Sequence, residues 1–440
     1  MKSILKSIYK SSGFSTFGLL RNIPDSLLFG FNYNNNVLDV SQDTRFLAPN
    51  LLKLFLYNQK NTDYGRDQFG SVKLHLDDVF EIYRTLPVIT SDDLRDNLDY
   101  FSSKSRNFLN SYKATTGGTG RGITKIVLSN SSYSHEWAHM NEIWGRIGFD
   151  RKTHPRMSFR GSKDPKESLF VFNAVYNEYL VNELFLSDSV LEQSIEFIHK
   201  KGIQFVHLYP SNLELLFNFC IRRSIKLQLR GIFTGSEGCS LENRLKYRSY
   251  FNCPIVHWYG LSEKVVLASD EDCSGDFKVF TSYSFVSAEN EINGVGEIVG
   301  STFVNKALPL IKYATGDFGQ VLFKDNNLII KDVKGRWGKD FLYCRDGSRI
   351  SSTQLNFHDE VFENILCYQI VQNSYNEILV RILPKLEKNV NRHSLEVILH
   401  DLFKNKLPNF SIEIEFSEIT DFHLSSRGKI KMIVQNLKLE

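Results

Sequence analysis

No run of about 18 apolar residues occurs anywhere in the 440-residue chain, which excludes a conventional membrane-spanning helix. The six cysteines are scattered without a Cys-x-x-Cys pair, so neither a disulfide framework nor a zinc ribbon is written into their spacing. Cys220, Cys239, Cys253 and Cys273 fall near one another, but at intervals that match no common zinc pattern. They read as buried thiols of a reducing, cytoplasmic compartment. Strong charge of either sign is missing: 53 Lys and Arg against 50 Asp and Glu leave a formal charge of +3, and no basic stripe with interleaved aromatics appears. Nucleic acid is therefore not an expected partner. Met1–Phe14 lacks the apolar core of a secretion signal; Lys2, Lys6 and Lys10, with Ile4, Leu5 and Ile8 between them, read as a surface helix. Internal repeats and low-complexity tracts are absent as well.

What is present is the composition of a soluble globular protein, 42% hydrophobic and 23% charged. The length implies two or three domains. Phe and Tyr are plentiful, at 34 and 19, and predict aromatic-rich cores. The most informative segment is Ala114-Thr115-Thr116-Gly117-Gly118-Thr119-Gly120, set between expected strands Phe108–Lys113 and Ile123–Leu128. Glycines let a backbone approach a phosphate closely, and the N–H groups and threonine hydroxyls can then bond its oxygens. No Gly-Lys-Ser/Thr follows and no helix opens at the last glycine, which disfavours a P-loop or a dinucleotide fingerprint.

Residues 1–105 read as mostly helical. Further on, Gln204–Tyr209, Leu227–Thr234 and Ile255–Tyr259 read as strands, with helices at Asn212–Ile221 and Leu241–Phe251 between them. Two consecutive βαβ units predict an α/β fold, a parallel sheet with covering helices. Ligands bind such sheets beyond the C-terminal ends of the strands, where both Gly235-Ser236-Glu237 and Gly260–Glu263 fall. Two motifs thus converge on one crevice. After Gly335 a small α+β unit is expected, with strands at Glu377–Leu383 and Phe410–Phe416 and a helix at Ser394–Leu402. In the second strand Phe410, Ile412, Ile414 and Phe416 should face inward. The expected organisation is a large domain over 1–334 and a small one over 335–440.

The motifs and their order resemble those of the adenylate-forming superfamily of acyl-CoA synthetases, peptide-synthetase adenylation domains and luciferases. Leu86-Pro87-Val88-Ile89-Thr90 and the run Ala307 to Asp317 resemble its phenylacetate–CoA ligase branch. Trp144 to Phe149 and Tyr209-Pro210-Ser211 resemble the members of that branch encoded in capsule and O-antigen loci. The resemblance implies an enzyme that uses ATP and Mg²⁺ to convert a carboxylic acid into an acyl-adenylate, then passes the acyl group to CoA or to an amine. A role in surface-polysaccharide synthesis follows from the capsule-locus likeness, a small carboxylic acid is the expected substrate, and the oligomeric state, homodimer included, stays open. By the same resemblance Thr115, Thr116, Gly117, Gly118, Thr119 and Gly120 would hold the β- and γ-phosphates, with Arg121 nearby as a cation. Gly235, Ser236 and Glu237 would border the adenine and Tyr259 would stack on it, beside Gly260. Ser262 would bond the α-phosphate and Glu263 would bind Mg²⁺. Asp317 and Arg336 would hold the ribose. Lys429 would bridge the substrate carboxylate and the α-phosphate. The small domain would turn about residues 336–340, near Gly338 and Lys339, and Gly347 would then line an acceptor tunnel.

One motif competes. His135-Glu136-Trp137-Ala138-His139 satisfies His-Glu-x-x-His, which on a helix can hold zinc with the glutamate as general base. A third ligand would have to come from an expected helix at Asn173–Glu183, through Glu178. A zinc hydrolase is the remote alternative to the ligase, together with a non-catalytic nucleotide-binding protein.

Overall fold

The computed structural model describes residues 22–115, 125–159, 167–183, 186–335, 341–345, 349–351, 361, 364–384, 391–424 and 430–437. The helices α1 (Asp25–Phe29), α2 (Tyr33–Leu38), α3 (Leu47–Asn61), α4 (Asp63–Phe69), α5 (Val79–Thr85) and α6 (Ser91–Phe101) come first. Sequence sets their ends: Thr90 and Asp93 close a reciprocal capping box at the start of α6, and the Thr62 hydroxyl accepts from Gly65 N–H at the start of α4.

A hairpin of β1 (Ser111–Thr115) and β2 (Lys125–Ser129) follows, paired from Ser111↔Ser129 to Thr115↔Lys125. The expected first strand at Phe108–Lys113 is thereby shifted. Asn107 Oδ1 accepts from the N–H groups of Leu109 and Asn110, and this side-chain turn holds Phe108 and Leu109 outside the ladder. Ser129 then caps α7 (Asn130–Gly145) by accepting from Ser132 N–H.

The centre is a twelve-stranded sheet. Its strands are β3 (Arg156–Phe159), β4 (Phe170–Asn173), β5 (Glu178–Val181), β6 (Phe205–Leu208), β7 (Gly231–Gly235), β8 (Ile255–Gly260), β9 (Leu267–Asp270), β10 (Phe277–Val279), β11 (Ser284–Ile292), β12 (Val295–Thr302), β13 (Tyr313–Lys324) and β14 (Asn327–Lys334). The spatial order is β11-β12-β13-β14-β10-β9-β8-β7-β6-β3-β5-β4. β5, β3, β6, β7 and β8 are mutually parallel, whereas β8 meets β9 antiparallel. The parallel half alternates faces. Val206, Ile232 and Ile255 join a core with α8 (Asp188–Lys201), α9 (Pro210–Arg222) and α10 (Leu241–Phe251), while Phe205, Phe233 and Val256 join another with Met140, Ile143 and Trp144 of α7. The two βαβ units read from sequence are β6-α9-β7 and β7-α10-β8. The middle strand is shorter than expected, starting at Gly231 rather than Leu227.

The helix expected at Asn173–Glu183 does not exist. Those residues are the end of β4, a turn, and β5, because Glu178 pairs in register with Arg156 of β3 and binds its guanidinium. Pairing with a buried neighbour overrides the helix-forming Ala, Glu and Leu of this stretch.

Beyond Gly335 lie a small hairpin, β15 (Phe341–Tyr343) with β16 (Arg349–Ser351), and a four-stranded sheet ordered β19-β18-β17-β20. Its strands are β17 (Ile365–Ser374), β18 (Glu377–Pro384), β19 (Ser411–Phe416) and β20 (Ile433–Gln435), and Leu395, Leu399 and Phe403 of α11 (Arg392–Lys406) pack on it. Phe410 is buried, and Ile412, Ile414 and Phe416 pack against the same core, while Ser411 and Glu413 are exposed.

Candidate active site

The parallel strands β7 and β8 end side by side, with Gly235 opposite Trp258. Glycine is required there: a Cβ on Gly235 would stand 2.7 Å from the Trp258 ring. Ser236 turns the chain away at φ +69°, so Gly235-Ser236-Glu237 and Tyr259–Glu263 leave the sheet at the same end.

Past β8 the backbone makes a tight turn. Lys264 N–H donates to Leu261 O at 3.1 Å, which puts Ser262 and Glu263 at the two central positions. Lys264 itself has φ +64°. The turn sends the Glu263 side chain inward, to 0% exposure. Its Oε1 accepts from the Tyr313 hydroxyl at 3.1 Å, and its Oε2 has no hydrogen-bond partner among the described residues. Leaving a buried acceptor unmet typically costs about 1–3 kcal/mol, more when it is charged.

The second limb is β13. Gly316 has φ +71°, and around this kink the Thr315 hydroxyl donates to Ile298 O at 2.7 Å and accepts from Asp317 N–H at 3.0 Å. The bulge breaks the alternation of the strand and swings Asp317 toward β8. There its Oδ2 accepts from the Tyr259 hydroxyl at 2.7 Å. Two tyrosine–carboxylate pairs, Tyr259–Asp317 and Tyr313–Glu263, therefore join the ends of β8 and β13.

The structure thus brings Gly235, Ser236, Glu237, Tyr259, Gly260, Ser262, Glu263 and Asp317 to one seam between the parallel and antiparallel halves of the sheet. Thr115 is the last residue of β1. Thr116, Gly117, Gly118, Thr119, Gly120, Arg121, Arg336, Gly338, Lys339, Gly347 and Lys429 lie outside the described residues. Sequence reasoning gave no role to Tyr313, although the motif ending in Asp317 contains it; its place four residues before Asp317 on the same strand was the available signal. Lys264 was also missed, a lone cation in the otherwise apolar run after Glu263.

A divalent cation fits this seam. The donors are oxygens only, the Glu263 Oε2 atom is buried and unclaimed, and the Ser262 hydroxyl is its chain neighbour. The His-Glu-x-x-His segment offers no such fit. It does lie on a helix, α7, but His139 uses both ring nitrogens: Nδ1 donates to His135 O at 2.7 Å, and Nε2 accepts from the Ser282 hydroxyl at 2.9 Å. Burial holds the His139 and His135 imidazoles at a pKa of about 4, below the ordinary value and so uncharged at neutral pH. Glu136 is ion-paired to Lys264 at 2.6 Å, and Glu178, on β5, is ion-paired to Arg156 at 2.9 Å. Among the described residues no group of three His, Cys, Asp or Glu side chains converges on a metal position. The four clustered cysteines are free thiols, with Cys220, Cys253 and Cys273 buried and Cys239 partly so. No helix among the described residues is long and apolar enough to cross a membrane.

Comparison with known proteins adds to this geometry. Residues 342–436 match the family of CapK C-terminal domains. Protein CapK of Staphylococcus aureus is 23% identical over 363 residues, which span 78% of this chain and 76% of that protein. Among solved structures, 2-hydroxyisobutyryl-CoA ligase in its postadenylation state superposes with a TM-score of 0.60 at 11% identity, covering 88% of each chain. The acyl acid amido synthetase GH3.15, in complex with 2,4-DB, superposes with a TM-score of 0.57 at 12% identity, covering 90% of this chain and 92% of the other. The fold is that of the adenylate-forming ligases, with a large sheet-rich part and a small C-terminal part.

Proposed function

We propose that the chain is an AMP-forming ligase that activates a carboxylic acid with ATP and hands the acyl group to an acceptor, CoA before an amine. The single observation that carries this reading is Glu263: a wholly buried carboxylate oxygen without a partner among the described residues, in a turn that also presents Ser262, beside the Tyr259–Asp317 pair. That arrangement suits a metal-bound triphosphate, its nucleoside lying along β8 and β13. The half-buried Tyr259 ring offers a flat face to adenine, bordered by Gly235, Ser236 and Glu237. Asp317 accepts hydrogen bonds from ribose hydroxyls, with Arg336 as a further ribose contact. Ser262 donates to the α-phosphate, and Thr115–Gly120 hold the β- and γ-phosphates. Glu263 would hold Mg²⁺, which supplies positive charge against the phosphate oxygens. Attack of the substrate carboxylate on the α-phosphorus builds negative charge there, and Lys429 is placed by this reading to offset it. The small domain, 335–440, turns about 336–340 once the adenylate has formed, and Gly347 then borders the acceptor. CapK-like relatives and the capsule-locus motifs support surface-polysaccharide synthesis as the setting, with a cytoplasmic location.

The test is ATP–pyrophosphate exchange across aryl, short fatty, sugar and amino acids, with ATP·Mg²⁺ thermal shifts alongside. Exchange with at least one acid class is expected. Absence of exchange across the panel, with no thermal shift from ATP, would overturn the reading. Product analysis with CoA and with amines then decides the acceptor.

A further inference from the structure

The His-Glu-x-x-His helix is left without a role by the ligase reading, yet its glutamate reaches the proposed metal turn. Glu136 Oε2 lies 2.6 Å from Lys264 Nζ, and Lys264 closes the turn that carries Ser262 and Glu263. Three features separate this contact from an ordinary surface ion pair. The lysine side chain is only 9% exposed, so its charge is largely removed from water and depends on its partner. Its backbone sits at φ +64°, a left-handed conformation that a side-chain-bearing residue adopts at a cost of about 1–3 kcal/mol. The residue next to it is Glu263, whose unpartnered oxygen cannot by itself fix the turn. A strained lysine with a buried charge persists when its surroundings over-determine it, and here the partner that does so is Glu136.

The partner's position adds a second consequence. Glu136 lies in the second turn of α7, and α7 begins at Asn130, directly after the β1–β2 hairpin that carries Thr115. The hairpin and the helix that carries Glu136 are thus joined directly at Ser129–Asn130.

We infer that the Glu136–Lys264 pair is a positioning device: it holds the Ser262–Glu263 turn in its metal-binding conformation. The inference rests on the ligase reading. Neither residue touches the reacting atoms; both act through Glu263 and Ser262. The match to a zinc motif is then accidental in its histidines, which serve the core, and functional in its glutamate.

The experiment measures Mn²⁺ binding in the presence of ATP by the electron paramagnetic resonance signal of free Mn²⁺, together with the Mg²⁺ dependence of ATP–pyrophosphate exchange. The variants are Glu136→Gln, Lys264→Met, Lys264→Arg and the double Glu136→Gln/Lys264→Met. Glu136→Gln keeps the shape of a half-exposed side chain, so folding should persist, and circular dichroism checks it. We expect the two single charge-removing variants each to weaken Mn²⁺·ATP binding by about tenfold or more, the double variant to lose no more than either alone, and Lys264→Arg to stay within about threefold of the parent. The KM for the carboxylic acid should hardly move. Unchanged Mn²⁺·ATP binding in Glu136→Gln, or fully additive losses in the double variant, would overturn the inference while leaving the ligase reading intact. A parent protein that binds no Mn²⁺·ATP would instead sink the ligase reading, and this inference with it.

Discussion

The twelve-stranded sheet buries a glutamate in each of two regions, and their surroundings are opposite. In the parallel half, Glu178 of β5 accepts from Arg156 Nε at 2.9 Å and from the Ser158 hydroxyl, and the Arg156 guanidinium lies 4.5 Å from the centre of the Trp144 ring. Asp270, at the end of the antiparallel β9, is matched in the same way, accepting from Arg244 at 2.5 Å. At the seam with the antiparallel half, Glu263 is just as buried but, among the described residues, has a tyrosine hydroxyl on one oxygen and nothing on the other. A buried carboxylate matched by a guanidinium has its charge answered within the fold. One left half-matched is compensated by something that arrives, which is why the seam, rather than the parallel half, is the candidate site.

The sharpest way to break this comparison is to neutralise each glutamate in turn. Glu178→Gln leaves Arg156 buried without its counter-charge and should lower stability by about 3–5 kcal/mol, read as a drop in the denaturation midpoint. Glu263→Gln removes no counter-ion and should leave that midpoint unchanged or raised. Its cost should fall on chemistry, with metal-dependent adenylation slowed about 10²–10³-fold. If the two variants lose stability alike, while Glu263→Gln retains adenylation per folded molecule, the distinction between structural and functional carboxylate fails.

A second pair of substitutions sets the large part of the chain against the small one. Lys429→Ala should slow adenylation by roughly 10²–10³ yet spare transfer from a preformed acyl-adenylate, because a bridging ammonium matters where charge develops on the α-phosphate. Gly338→Pro should do the reverse, stiffening the proposed hinge after adenylation is complete. Single-turnover assays of each half-reaction separate the two. Loss of the same step in both variants would show that the hinge is misplaced, and retention of adenylation in Lys429→Ala but not in Lys431→Ala would move the lysine.

Much of the seam was legible in the chain because local chemistry dictates it. Strand-length apolar runs alternating with helical spacing made the βαβ order visible, and the turns after β7 and β8 had to fall at the same sheet end. Asp317 was legible through the resemblance of the run Ala307 to Asp317; the bulge at Gly316 that turns it toward β8 was not. Long-range pairing was not legible. Asn173–Glu183 reads as helix in isolation, and only the buried Arg156 makes it a strand. Tyr313 and Lys264 looked like filler because their partners, Glu263 and Glu136, stand 50 and 128 residues away. The zinc-like motif misled for the same reason: a spacing shows that two histidines share a helix face, not that the carbonyl of one already satisfies the other.

That histidine pair gives a smaller, graded test. His135 and His139 are held near a pKa of about 4, and His257 near about 3, chiefly because burial disfavours the charged ring. The unfolded chain takes up protons on these residues below about pH 6.5, whereas the folded chain does not until near pH 4. Their contribution to stability is therefore complete above about pH 6.5 and is lost progressively as pH falls toward 4. The slope is about 1.4 kcal/mol per pH unit for each such histidine. Denaturant midpoints between pH 7 and 4.5 should show it, and His139→Gln should flatten it without affecting adenylation at pH 7.5. An unchanged slope would mean that His139 is already charged in the fold, against the acceptor role of its Nε2 toward the Ser282 hydroxyl. Stoichiometric zinc lost from that variant would revive the metal reading of α7.

The smallest expected effect concerns Asp317, the carboxylate that Tyr259 holds. Tyr259→Phe keeps the ring that would face adenine and deletes only the hydroxyl on Asp317. A hydrogen bond of this kind contributes about 0.5–1.5 kcal/mol, so the KM for ATP should rise roughly three- to tenfold, with kcat hardly changed. Asp317→Ala should cost more, since it removes the ribose acceptor as well as the anchor. In the double variant the effect of Tyr259→Phe should shrink, because the hydroxyl acts through the carboxylate. Glu263 supplies the contrast: Tyr313→Phe strips the donor on its Oε1, and there the metal requirement, not the KM for ATP, should move. If both phenylalanine variants shift the same parameter, the two tyrosine–carboxylate pairs do one job, and the division of the seam into a nucleoside end and a metal end is wrong.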